Sequence, residues 1–565
     1  MRIVHWFRKD LRLDDNTALS EAVADSAGDV VPFYASDPAW FARPDIAATR
    51  VRFVLGALAE LSAAVAARGS RLALAHGDPA DTVLRAARAA GAGAVYWNDE
   101  YEPALRTRDD RVQAALTAAG VRVKRFHDRL LVPPGMVSTR SGGPYTVFTP
   151  FRRACEAVPL GLPHARVERL AGHELPTRTL ATLTQLGFAE PPSAEWPAGE
   201  SHAHRRLQRF LGGTGAEPGA GLARYATERD FPAAPVPSRL SADLKFGTIG
   251  IRRVAHGVLE AAARDARFAP HAEKFVHELR WRDFYAHVLW HFPHVEHGAF
   301  RPEYDALAWR GTSEWFQSWC AGRTGYPIVD AGMRELAATG SMHNRVRMIV
   351  ASFLTKDLLL DWRRGERWFM NHLVDGDLAN NNGGWQWAAG TGTDAAPYFR
   401  IFNPVTQGMR FDPNGAYVRQ WLPELSRLPD DTVHRPWDVP ASRRAAAGLT
   451  LGEDYPERIV DHAVQRARAL EMFADVKSAA AAPASRASTR RSSFMSCAGG
   501  TSSRTCSGTS RTSRGARSAS DSTGCAGRVA TSTSPHGALA APATRSSMRA
   551  CASWPRPAGC TTASA

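Results

Sequence analysis

Eleven of the sixteen tryptophans fall between Trp281 and Trp437. A helical stretch does not need so many of the largest side chains for packing, and every buried indole wants a partner for its N–H. Indoles also stack on unpaired bases and can pass electrons between oxidisable rings. A core position is the plainest reading of any one of them; the cluster as a whole points to a bound π system. In the same stretch, Asp375 and Gly376-Asp377-Leu378-Ala379-Asn380-Asn381-Asn382-Gly383-Gly384 precede Trp385-Gln386-Trp387. Acids, amides and glycines in that density make a poor helix. They make a polar cradle, where Asn donates and accepts toward a heterocycle and Gly allows close backbone approach. The flanks, Phe369–Val374 and Trp385–Ala389, are too apolar for an exposed loop.

Two helical patterns accompany the cradle. Asn344, Arg347 and Met348 share a helix face by their i, i+3, i+4 spacing, and Glu278 and Arg282 share another, with Trp281 beside Glu278. A salt bridge along the helix is the bland alternative for Glu278 and Arg282. Other chemistries are not indicated. His287, His291, His294 and His297 lie near Glu296, but Pro293 interrupts them and the spacing matches no metal set, so no metal is expected. Gly212–Gly221 lacks the Gly-Lys-Ser/Thr of a phosphate loop, and no G-x-S-x-G or nucleophile triad is present.

These residues sit in a chain of 565 residues, 44% hydrophobic and 22% charged, enough for two or three cored domains. Residues 1–130 alternate short apolar runs (Ile3–Phe7, Val30–Tyr34, Leu72–Ala75, Ala94–Trp97, Val121–Phe126) with helical stretches such as Arg50–Arg68 and Asp81–Ala90. Gly69, Gly91 and Gly120 stand where those helices should stop. The alternation predicts an α/β domain built on a parallel, Rossmann-like sheet. Asp14-Asp15-Asn16-Thr17 reads as a turn and helix N-cap. Residues 131–200, rich in Pro and Gly, read as a linker. Residues 201–476 read as all-α, with helices over Ile249–Ala262, His271–Trp290, Pro327–Ala338, Asn344–Leu360 and Arg367–Leu373.

Residues 477–565 hold one Lys and eleven Arg against Asp521 alone, so eleven of the fourteen net positive charges sit there and three remain for the rest. That Ser-, Arg- and Ala-rich segment is expected to be a disordered tail, with the composition a shifted reading frame in a GC-rich gene would give. Only Cys155 and Cys320 precede it and no C-x-x-C occurs, which suits a reducing cytosol. No run approaches the ~18 apolar residues of a membrane span. The start, Met1–Phe7, is too soon charged for a secretory signal. A cytoplasmic protein with no membrane partner is expected.

Across 1–475 the chain resembles the DNA photolyase and cryptochrome family, and within it the bacterial cyclobutane pyrimidine dimer photolyases. The resemblance runs from Trp6-Phe7-Arg8-Lys9-Asp10-Leu11-Arg12-Leu13 through Thr324-Gly325-Tyr326-Pro327-Ile328-Val329-Asp330-Ala331 and Met342–Met348 to Asp375–Pro404. It implies a noncovalent FAD in the helical domain, active as FADH⁻. Tyr225 and Ser238-Arg239-Leu240-Ser241 match the phosphate-side contacts. Glu278, Arg282, Asn344, Arg347, Asp375, Asp377 and Asn381 match the rest of the shell, Asn381 at the position facing flavin N5. It implies a monomer acting on UV-damaged DNA. A dimer is flipped into the pocket, takes one electron from excited FADH⁻, opens and returns the electron. Glu278, Trp281, Asn344, Met348 and Trp387 match the dimer-facing set, Trp385, Trp362 and Trp309 the electron-hopping chain, and Arg229, Arg345 and Arg400 the DNA-phosphate contacts. The folate-binding pattern is broken at Ala104-Leu105, at Glu296-His297 and near Arg43-Pro44, while Trp97–Pro103 is closer to deazaflavin-binding members. A deazaflavin, a folate or no antenna chromophore stay open. The alternative function is a cryptochrome-like photoreceptor. Asn381, where plant cryptochromes carry Asp and animal ones Cys, favours repair.

Overall fold

The computed structural model describes residues 1–192, 196–212, 221–395, 397 and 399–481; most of the basic tail expected from residue 477 lies outside the described residues. Five strands, β1 (Ile3–Phe7), β2 (Val30–Ser36), β3 (Ala73–His76), β4 (Ala94–Asn98) and β5 (Arg122–Phe126), form one sheet in the order β3-β2-β1-β4-β5, every pairing parallel. Helices α1 (Thr17–Ser26), α2 (Pro38–Phe41), α3 (Ala48–Ala66), α4 (Pro79–Ala89) and α5 (Pro103–Ala118) make the crossovers. The inner strands β1, β2 and β4 are largely apolar and buried because both faces are covered, whereas the edge strand β5 carries Arg122, Lys124 and Arg125 and is open to solvent. Val4, Trp6 and Phe33 pack against Val83 and Val112 on one side; Ile3 and Phe7 pack against Phe53, Leu58 and Leu61 on the other. Asn16 caps α1, its side chain accepting from Leu19 N at 3.1 Å, as the turn sequence predicts. Gly69, Gly91 and Gly120 carry the positive φ (60–85°) that lets the chain leave its helices.

The rest is helical. After α6 (Phe148–Glu156) and α7 (Glu200–Leu211) come α8 (Tyr225–Glu228), α9 (Ser241–Phe246), α10 (Ile251–Arg264) and α11 (Ala269–His291). Then follow α12 (Ser313–Cys320), α13 (Pro327–Thr339), α14 (Asn344–Ser352), α15 (Trp362–His372) and α16 (Leu378–Ala389). The series ends with α17 (Pro404–Phe411), α18 (Ala416–Trp421), α19 (Ala441–Ala446) and α20 (His462–Ala481). Trp319, Trp362, Trp385 and Tyr417 sit in the largest apolar cluster of this part.

Two expectations from the sequence are corrected. The single helix expected over Asn344–Leu360 ends as α14, passes into a π-helical turn at Phe353–Asp357, and breaks where Leu359 takes φ 49°. The wider turn seats two buried polar groups: Lys356 donates to Ala389 O at 2.7 Å, and Asp357 pairs with His462 at 2.5 Å. The segment from Gly376 to Trp387, expected to be non-helical, forms α16. Asp377 caps it through Asn380 N at 3.1 Å. Asn382 and Gln386 satisfy their amides on Val295 O at 2.9 and 3.2 Å. Gly383 is required there, because a Cβ would fall 2.1 Å from the Tyr285 ring of α11. Tertiary contacts outweigh the poor intrinsic propensity.

The start of α16 is tied to the carboxyl end of the sheet by a closed ring of alternating charges. Asp377 meets Lys245 at 2.9 Å, Lys245 meets Glu102 at 2.8 Å, and Glu102 meets Lys9 at 2.6 Å. Lys9 meets Glu100 at 3.4 Å, Glu100 meets Arg129 at 2.5 Å, and Arg129 returns to Asp377 at 3.7 Å. All but Asp377 are buried, and Asp377 opens on the cavity described below. Burial alone would raise the Glu102 and Asp377 carboxyls; Lys245 and its fellow cations override it and hold both well below the usual carboxylate range. Burial lowers the Lys9 ammonium to about 8 against the pull of Glu100 and Glu102.

Removing one member leaves its partners buried and uncompensated, a loss of about 3–5 kcal/mol. Lys245→Met should therefore lower stability to urea by about 3 kcal/mol, and adding Glu102→Gln should recover part of it. Tryptophan fluorescence during urea unfolding reads both; an unshifted single variant contradicts the role of the ring. Since both carboxyls are depressed in the fold, their contribution is complete above the unfolded carboxylate values near pH 4 and is lost as pH falls below them. The thermal midpoint should drop below about pH 4, and less so in the double variant.

Candidate active site

A cavity of about 1010 Å³ opens between α11, α14 and α16, with the 225–245 segment and α18 completing its wall. Of the residues singled out in the sequence, Tyr225, Ser238, Arg239, Leu240, Ser241, Glu278, Trp281, Arg282, Asn344, Arg347, Met348, Asp375, Asp377, Asn381, Trp385 and Trp387 line it, as do Arg229 and Arg345. Trp309, Trp362 and Arg400 do not.

The lining residues are fixed by one another and by neighbours outside the cavity. Arg347 donates to both oxygens of Asp375 at 3.0 and 3.2 Å and to Met342 O at 2.8 Å, so α14 is braced against the entry to α16. Arg282 makes no bridge with Glu278; it donates to the Arg129 and Leu244 carbonyls. Glu278 pairs instead with Arg229 and, at 3.8 Å, with Lys274. Asn381 Nδ2 donates to Glu366 O of α15 at 3.0 Å and faces the Glu366 carboxyl, which burial raises to about 7. That bond sets the orientation of the amide. Arg239 stands at φ 55°, a costly conformation for a non-glycine, with its guanidinium 4.7 Å above the Trp196 ring. Trp281 stacks on Phe148 with ring centroids 3.7 Å apart and planes at 9°. His343 caps α14, accepting from Arg345 N at 3.2 Å, and burial lowers it to about 4.

Trp385 packs on the bare backbone of Gly365 in α15, where a Cβ would fall 2.1 Å from its ring. Trp362 lies one turn earlier on that helix and is 2% exposed; Trp309 is half-buried. The aromatic ring pairs around Trp385 also include Trp319, edge-on at 6.1 Å and fully buried, a neighbour the sequence reading passed over. Lys245, Tyr285, Glu335, His343 and Tyr417 line the cavity too and were not singled out. His343 stands inside the Met342–Met348 string, which could have marked it. Tyr417, whose hydroxyl donates to Glu335, stands outside every motif string.

FAD, which the family resemblance implies, fits this lining. The Trp385 N–H is buried without a hydrogen-bond partner among the described residues, a donor waiting for an acceptor. Gly384 offers bare helix to the cavity, and a Cβ there would meet nothing within 4 Å. Arg239, Lys245 and Arg282 bring cations to the wall that phosphates would face. Gly384→Leu should fold with the parental thermal midpoint and yet hold FAD about tenfold more weakly, because its side chain occupies the slot. Flavin absorbance per protein after dialysis measures this; parental FAD content contradicts it.

Comparison with known proteins agrees with the geometry. A family model described as DNA photolyase matches residues 3–171, and one described as the FAD binding domain of DNA photolyase matches 275–475. The chain is 41% identical over 491 residues to a deoxyribodipyrimidine photo-lyase of Agrobacterium fabrum, covering 84% of this chain and 98% of that one. It is 40% identical over 478 residues to the Escherichia coli protein of that name, covering 83% and 97%. Among solved structures, a class III photolyase from Agrobacterium tumefaciens superposes with a TM-score of 0.77 at 40% identity, covering 84% and 98%. A Synechocystis cryptochrome gives 0.77 at 28% identity, covering 83% and 99%. With an α/β sheet domain, a helical domain matching the FAD-binding model and relatives at about 40% identity over most of its length, the chain belongs to the DNA photolyase family.

Proposed function

We propose that this protein repairs cyclobutane pyrimidine dimers in DNA by light-driven electron transfer, as a cytoplasmic monomer. Residues 1–130 are its antenna domain, 131–200 the linker and 201–476 the catalytic domain. The observation that carries the reading is that one cavity is lined by Asn381, Trp385, Asp375 and Asp377 together with Glu278, Trp281, Asn344, Met348 and Trp387. FAD, when bound and reduced, supplies the photoexcited electron.

The protein's part is placement and electrostatics. Tyr225, the Ser238–Ser241 turn, Arg282, Arg347, Asp375 and Asp377 hold the cofactor, and Asn381, fixed by Glu366, presents a neutral amide to its ring. A flipped-out dimer, cheaper to unstack than an intact pair, enters beside Trp281 and Trp387, whose rings cover its apolar faces and exclude water. Glu278 hydrogen-bonds the dimer, with Asn344 and Met348 alongside. Arg229, Arg345 and Arg400 take the neighbouring phosphates, so binding weakens as salt rises. Trp385, Trp362 and Trp309 form the conduit for reducing electrons from the surface. The abutment of Trp385 on α15, which carries Trp362, supports it.

Illuminating the reduced protein with dimer-containing DNA should restore pyrimidines over many turnovers; flavin binding without restoration favours the photoreceptor reading. Glu278→Ala should lower the yield about tenfold, the loss of one hydrogen bond to a charged group. Trp309→Phe should slow photoreduction of the oxidised protein and leave repair by the pre-reduced protein intact. Equal loss of both activities contradicts that division.

A further inference from the structure

Two of the three arginines assigned to DNA phosphates, Arg229 and Arg345, are not bare in this structure. Arg345 Nη2 lies 2.7 Å from Asp230 Oδ2, and Arg229 Nε lies 3.8 Å from Asp230 Oδ1. Arg229 Nη1 is also paired with Glu278. Asp230 is more than a third exposed, at 38%, whereas the two guanidinium side chains are at 14% and 18%. A single carboxylate thus bridges the arginines of two separate segments, α14 and the turn after α8. His343, which caps α14, stands between the same groups: burial lowers it, while Asp230 and the Arg229 backbone favour its charged form.

We propose that Asp230 is a specificity-determining residue that occupies the phosphate positions of Arg229 and Arg345 until a lesion-bearing strand displaces it. The proposal rests on the repair reading above. The physical argument is competition. A phosphate can pair with either arginine only by taking the place of a carboxylate already there, and a pair whose carboxylate is this open to solvent is weak enough to exchange. Undamaged duplex offers phosphates alone, so it must offset that cost from backbone contacts. A flipped dimer adds base contacts inside the cavity, including Glu278, which exchanges Arg229 for the lesion as the phosphate arrives. The cost of moving Asp230 off Arg345 is common to both duplexes; what differs is Glu278, which the lesion draws off Arg229 so that the displaced Asp230 finds a free cation there, whereas on undamaged duplex Arg229 stays paired with Glu278 and non-specific binding is weakened more.

The test measures equilibrium binding of the FAD-loaded full chain to two duplexes of one sequence, one with a single thymine dimer and one undamaged, across a salt series. Asp230→Asn should tighten binding to undamaged DNA about three- to tenfold and to dimer DNA by less than about twofold. Its salt dependence on undamaged DNA should steepen by up to about one phosphate equivalent. Asp230→Glu, which keeps the charge, should retain most of the discrimination, and neither variant should change the flavin spectrum. Equal tightening on both duplexes, or no change on either, overturns the proposal. Failure of the parent protein to distinguish the two duplexes overturns the repair reading itself, so the two failures are separable.

Discussion

A carboxylate largely withdrawn from water in a cavity wall is stable only if cations reach it, and Asp377 is reached by Lys245 and Arg129. Those two are themselves buried and need anions, which Glu102 and Glu100 provide, and Lys9 closes the ring between them. Six charges from distant parts of the chain are thereby neutralised in pairs, none of them affordable alone. The ring fixes the first turn of α16 relative to the sheet. Since α16 also carries Asn381, Gly384, Trp385 and Trp387, the positions of these four cavity-lining residues follow from it.

The cavity then divides by chemistry. One part of its lining holds fixed amides, acids and cations, as Arg347 is fixed by Asp375 beside it and Asn381 by Glu366 outside the lining. Elsewhere in the lining stand aromatic faces, with Trp281 stiffened by its stack on Phe148, and arginines held in exchangeable pairs. Rigid groups suit a cofactor that stays, and exchangeable ones suit a polyanion that comes and goes.

Much of this was legible in the sequence for a physical reason. Strands covered on both faces are nearly continuous apolar runs, as β1, β2 and β4 are, and the edge strands β3 and β5 kept enough of an apolar run, Leu72–Ala75 and Val121–Phe126, to be read to within a residue. The helix faces carrying Glu278 with Trp281, and Asn344 with Arg347 and Met348, followed from spacing, and the photolyase-like strings supplied candidates most of which line the cavity. Three features were hidden. Helix α16 is built from residues that disfavour helices, and its Asp377 cap, the Asn382 and Gln386 amides on Val295 O and the Tyr285 ring against Gly383 explain it. The π-helical turn after α14 depends on what Lys356 and Asp357 meet across the core. The charge ring joins residues as far apart as Lys9 and Asp377, which no local pattern can pair.

The central claim is that one cavity brings a reduced flavin within electron-transfer reach of a flipped dimer. The fluorescence lifetime of the reduced flavin in the intact protein tests it most directly, measured with saturating dimer-containing duplex and with undamaged duplex of the same sequence. The account predicts a lifetime markedly shortened by the dimer and unchanged by undamaged DNA. An identical lifetime with both, at proven saturation, would contradict it.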